Sequence, residues 1–127
     1  MKIIFDNRTL WRWVFFAYIC ALTVALLWPS LALPPVMPRP DLLAHYLSFG
    51  TFALLLCLWN PTGTARLRVT LMVTLVAGVA YGGGTELLQM IPILHRTAAL
   101  DDWAADSCGV VCGCAAFSAL HWWRRSR

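Results

Sequence analysis

The side chains able to do chemistry are few in this sequence, and most recur at helical spacing. Asp41 and His45 stand four residues apart, Glu86 and Gln89 three, and Asp102 and Asp106 four. On a helix, each pair shares one face. Arg96 falls between the second and third pairs. An imidazole beside carboxylates can act as general acid or base. A guanidinium pairs with a carboxylate or clamps a phosphate oxygen. For an enzyme, the roles would be Glu86 as base, His45 as its acid or base partner and Arg96 as oxyanion clamp. Two or three acids could instead hold a divalent cation, but the sequence assigns no metal and no cofactor. For a binding protein, Asp41, His45, Glu86, Gln89, Arg96, Asp102 and Asp106 are all candidate ligand contacts.

What must position these groups is a set of apolar runs. The chain has 127 residues, 60% hydrophobic and only 13% charged, with mean hydropathy +0.67. Soluble domains are ~45–50% apolar and ~25% charged. This composition excludes disorder, a coiled coil and a basic nucleic-acid arm, so no nucleic-acid partner is expected. Apolar runs cover about residues 11–33, 42–59, 69–91 and 103–123. Each is close to the ~17–25 residues that a spanning helix needs. None alternates as a barrel strand would, which leaves helices as the spanning form. The expectation is one all-α domain over residues 1–127, a polytopic membrane protein of four transmembrane helices in an antiparallel bundle. The first run resembles a signal peptide in its basic start and its Ser30-Leu31-Ala32 site. It is longer than the ~7–15 residues of such a core, so it is kept as a helix.

Charge sets the expected orientation. Eight of the ten Lys and Arg fall at the two ends and in the second loop: Lys2, Arg8, Arg12, Arg66, Arg68, Arg124, Arg125 and Arg127. The positive-inside rule therefore puts both termini in the cytoplasm. The net charge of +4 then reports topology rather than an acidic partner. All seven tryptophans fall at predicted span ends, where an indole suits the interface. Five of the six acids, all but Asp6, gather at the outer end. Glu86 lies ~7 Å inside its span at 1.5 Å per residue. A carboxylate there is costly without a partner, which favours a functional role for Glu86 and for His45. Arg96 is the expected partner of Glu86 or Asp102, and Asp101 the expected N-cap of the fourth helix.

Small residues are the expected packing surfaces. Gly82, Gly83 and Gly84 allow close helix approach or leave bare backbone beside a ligand. Ala105, Gly109 and Gly113 form one small-residue stripe, and Gly78 and Gly82 another. Such stripes pack a bundle or mediate a homodimer. Cys108, Cys112 and Cys114 have metal-like spacing but lack a companion tetrahedral set. They and Cys20 and Cys57 read as small packing residues.

Taken in order, these residues resemble the VanZ-like family. The resemblance rests on Asp41-x-x-x-His45, on Tyr81-Gly82-Gly83-Gly84-Thr85-Glu86-x-x-Gln89, on Arg96, and on Asp102, Asp106, Gly109 and Gly113 at the family's fourth-helix spacing. It covers about residues 41–117. Leu42 stands where the family usually has Lys, and Asp106 where it often has Asn, so this site is more acidic. The resemblance implies a small bacterial inner-membrane protein, in a family whose name is tied to glycopeptide resistance and which carries no established activity. The leading expectation is a non-enzymatic protein whose outer-face site binds a lipid-linked envelope molecule or a glycopeptide target. The alternatives are an intramembrane lipid-headgroup hydrolase or transferase, and a small proton-coupled exporter. The exporter is disfavoured because its carboxylates would lie near the midplane.

Overall fold

A computed structural model describes residues 7–28, 39–59, 67–91 and 99–126. Their secondary structure is four helices: α1 (Arg8–Leu27), α2 (Pro40–Trp59), α3 (Leu67–Gln89) and α4 (Leu100–Arg125). All four are long and apolar enough to cross a membrane.

Local chemistry sets the helix ends. Asn7 caps α1, its Oδ1 accepting the Leu10 N–H at 3.0 Å. The helix stops at Leu27, short of the expected 33. Trp28 is extended because the residue before a proline, here Pro29, is pushed out of the helical region. Apolarity alone had carried the predicted run across that break. Pro40 opens α2, where its missing N–H costs nothing. α4 begins at Leu100 with Ala99 as N-cap and no side-chain cap. Asp101 is therefore not the cap expected of it. The Ala99 N–H is taken by Glu86 Oε2 at 2.8 Å, and Asp101 pairs with Arg39. Asp101 and Asp102 in the first turn, and Arg124 and Arg125 in the last, complement the helix dipole.

The packing differs from that of a soluble bundle in what it adds to an apolar core and in what it leaves outside. Among the described residues, seven polar or charged ones are buried: His45, Thr70, Thr74, Thr85, Glu86, Gln89 and Asp106. Large apolar residues such as Val24, Leu47, Met72, Val76, Leu87 and Val111 face outward. So extensive an apolar exterior suits contact with lipid rather than water. Inside, Phe15, Phe49, Phe52 and Tyr81 form an aromatic core, with Phe52 and Tyr81 stacked at 5.3 Å. Thr23 Oγ1 donates to Ile19 O, so Tyr81 Oη donates to Thr23 across a 2.7 Å gap and ties α3 to α1. Tyr18 Oη donates to Ser48 O and ties α1 to α2.

The tightest contact joins α2 and α4, and it is made by glycine. A Cβ on Gly109 would lie 2.2 Å from Tyr46 O, and one on Gly113 2.3 Å from Gly50 O. Only hydrogen fits at either place. On α3, a Cβ on Gly78 would strike Val110, and one on Gly82 would crowd Asp106 and Phe49. Both predicted small-residue stripes are thus used inside the chain. Gly83 lies against the Trp103 indole, whereas no atom of the described residues stands within 4 Å of a Cβ at Gly84. Gly84 makes no packing contact of the kind expected of it. The five cysteines are free thiols. Cys57 and Cys114 are buried, and Cys20, Cys108 and Cys112 face outward.

Candidate functional site

The α2–α4 glycine contact is what assembles the site. Asp102, Asp106, Gly109 and Gly113 follow one another at four, three and four residues, so one face of α4 carries them all. Seating Gly109 and Gly113 on the α2 backbone brings that face to His45. His45 Nδ1 and Asp106 Oδ1 are 2.9 Å apart, with Asp106 fully buried and His45 6% exposed. With Asp106 ionised, Nδ1 donates and the ring orientation is set. His45 Nε2 then faces Asp102 Oδ2 at 4.0 Å. The other Asp106 oxygen, Oδ2, lies over the bare backbone of Gly82 and has no hydrogen-bond partner among the described residues.

Glu86 completes the cluster from α3. It is 6% exposed, and Oε2 is fixed by the Ala99 N–H. Oε1 has no hydrogen-bond partner among the described residues. Glu86 also borders a cavity of about 790 Å³ between α3 and α4, walled by Val76, Val79, Ala80, Gly83, Gly84 and Trp103 among others. The Trp103 indole N–H bonds Val79 O at 3.1 Å and so holds the ring as one wall. The site therefore has two parts, an acidic end and an apolar groove, and Glu86 belongs to both.

The predicted residues divide clearly. His45, Glu86, Asp102 and Asp106 come together. Asp41 is exposed in the first turn of α2. Gln89 is fully buried, but its Nε2 donates to Leu26 O at 3.1 Å and ties α3 to the end of α1. Its amide is thus engaged in the fold rather than presented to a ligand. Arg96, the expected clamp and partner of Glu86, lies outside the described residues, as does the loop around it. Two contributors were missed. One is the Ala99 backbone N–H, which no side-chain pattern reveals. The other is the apolar part of the groove wall on α3, Val76, Val79 and Ala80, whose helical stripe is indistinguishable in sequence from any lipid-facing one. Comparison of the chain with protein-family models, with curated proteins and with solved structures finds no match.

Proposed function

We propose that this chain is a VanZ-like protein of the bacterial inner membrane that binds an amphiphilic envelope molecule at its outer face. The ligand is a lipid-linked precursor or the target of a glycopeptide-type antibiotic. In this reading the four helices form an antiparallel bundle with both termini in the cytoplasm. Contact order supports that arrangement: α3 meets α4 through 78–110, 82–106 and 83–103, which advance in opposite senses. The distribution of Lys and Arg supports the orientation.

The observation that carries the binding role is the continuity between groove and cluster. The groove is apolar, glycine-walled and bordered by a carboxylate, one of whose oxygens has no hydrogen-bond partner among the described residues. A prenyl or acyl chain laid along Gly83 and Gly84 brings its headgroup to Glu86. Ligand sites commonly combine an apolar wall with a few convergent polar groups. The test is binding of labelled undecaprenyl phosphate, lipid II and a glycopeptide to the protein in nanodiscs. Saturable binding of one of them, reduced by Glu86→Gln, is the expected result. Absence of saturable binding across all three refutes the role.

The His45–Asp106 pair supports a second reading, a lipid-headgroup hydrolase or transferase. An imidazole oriented by a buried carboxylate is the arrangement of a general base and its positioning group. Turnover of a lipid panel with Mg²⁺, Mn²⁺ or Zn²⁺, lost in His45→Ala, distinguishes it from binding alone.

A further inference from the structure

Three carboxylates and one imidazole, Glu86, Asp102, Asp106 and His45, converge where α2, α3 and α4 meet, and Glu86 alone of them also borders the groove. Arg39, the basic side chain described at this end, is engaged at the exposed rim by Asp101. Like charges gathered in low dielectric need a counter-cation or a proton. We propose that His45, Glu86 and Asp102 bind a divalent first-row transition ion of the Zn²⁺ class, with Asp106 as the positioning residue behind His45.

Four observations carry this. One ligand atom each from His45, Glu86 and Asp102 lies within 4.8 Å of the other two. Glu86 is more than nine-tenths buried, and its Oε1 is without a hydrogen-bond partner among the described residues. His45 has Nδ1 engaged by Asp106 at 2.9 Å and Nε2 turned toward Asp102. A metal-bound histidine almost always donates its second ring N–H to an outer acceptor, and a carboxylate is one of the common ones. Finally, Glu86 is itself anchored through Oε2 by the Ala99 N–H, the kind of outer support that orients a ligating carboxylate.

The dimensions fit. An ion centred among three atoms no more than 4.8 Å apart lies at most about 2.8 Å from each, so small side-chain rotations reach the ~2.0–2.2 Å of zinc–nitrogen and zinc–oxygen bonds. One imidazole with two carboxylates suits Zn²⁺ or its neighbours better than Mg²⁺ or Ca²⁺, which prefer all-oxygen shells. Three protein ligands leave a fourth position for water or a phosphate oxygen. Metal binding does not rest on the amphiphile reading, since the purified protein needs no lipid to show it.

The test is a Co²⁺ titration of the chelator-stripped full chain in detergent, followed by displacement with Zn²⁺. One equivalent per chain, with the visible bands of four-coordinate Co²⁺, is expected. His45→Ala and Glu86→Gln should weaken binding by more than ~100-fold, beyond the ~10–100-fold expected for an outer-shell change such as Asp106→Asn. Asp106→Asn should keep the bands, and Asp101→Asn should keep both bands and affinity. Variants are compared only when their helical circular dichroism and elution match the wild type. The wild-type titration stands even if no variant folds. Absence of wild-type bands overturns the proposal. So does equal affinity in His45→Ala, or binding that appears only in Arg96→Gln.

Discussion

Gly109→Ala is the sharpest perturbation of this molecule, because one methyl group tests both the packing and the site. Built on Gly109, that methyl would sit 2.2 Å from Tyr46 O, and backbone cannot rotate aside as a side-chain tip can. Ordinary contact begins near 3.4 Å, so α4 must move away from α2 by about 1.2 Å. Overpacking of this kind costs ~1–3 kcal/mol. Asp106 lies one turn away on the same face of α4. If the displacement reaches it, the 2.9 Å bond to His45 lengthens to about 4 Å, outside hydrogen-bond range. Losing a buried bond to a charged group costs a further ~1.5–3 kcal/mol. Against this, replacing glycine by alanine in a helix gains up to ~1 kcal/mol. With the His45 bond lost, the net expectation is destabilisation by about 1.5–6 kcal/mol. Gly84→Ala is the internal control, since no atom of the described residues stands within 4 Å of its Cβ. It should be neutral, or stabilising by up to ~1 kcal/mol. Denaturant titrations in mixed micelles, followed by circular dichroism, measure both variants on one scale. If the two substitutions shift stability in the same direction by similar amounts, the glycine contact does not position α4 and the argument fails.

Other perturbations separate the roles of individual residues. Gly84→Leu should fill the groove with little loss of stability and abolish binding of a prenyl or acyl ligand; an unchanged binding isotherm would place the ligand elsewhere. Gln89→Leu removes the amide that reaches Leu26 O and should cost ~0.5–1.5 kcal/mol through loss of that bond, while Co²⁺ affinity stays within about twofold of wild type for a residue outside the ligand set. Tyr81→Phe should lower stability by ~0.5–1.5 kcal/mol through loss of its bond to Thr23, which thermal unfolding in detergent would detect. In a cysteine-free background, a single cysteine at position 41 should react with an impermeant maleimide from outside intact cells, and one at position 126 should not. Labelling of position 126 instead would reverse the orientation derived from Lys and Arg.

The helices were readable because a membrane span needs about twenty apolar residues and this chain offers four such runs. Their ends were less so. The first run looked continuous to Leu33, but a single proline constrains the residue before it, and apolarity does not register that rule. The site was readable where ionisable groups interrupt apolar runs, since burial of His45, Glu86 and Asp106 has no purpose unless they meet something. Gln89 obeys the same logic, yet its partner is a carbonyl at the end of α1. An amide facing a ligand and one facing a helix end look alike until tertiary contacts place them.

Asp101 and Asp102 show how the remaining ambiguity could have been reduced. As adjacent acids at a helix start, both suit the dipole and both have the side chain of a cap. In the structure one turns out to Arg39 and the other toward His45. The discriminating signal lies downstream. Gly109 and Gly113 can abut a neighbouring helix only on the face they share, and counting back by three and four from that face reaches Asp106 and then Asp102, but not Asp101. The small residues therefore carry phase information that the acids themselves lack. That is why removing one glycine should act on the chemistry of the site as well as on the stability of the fold.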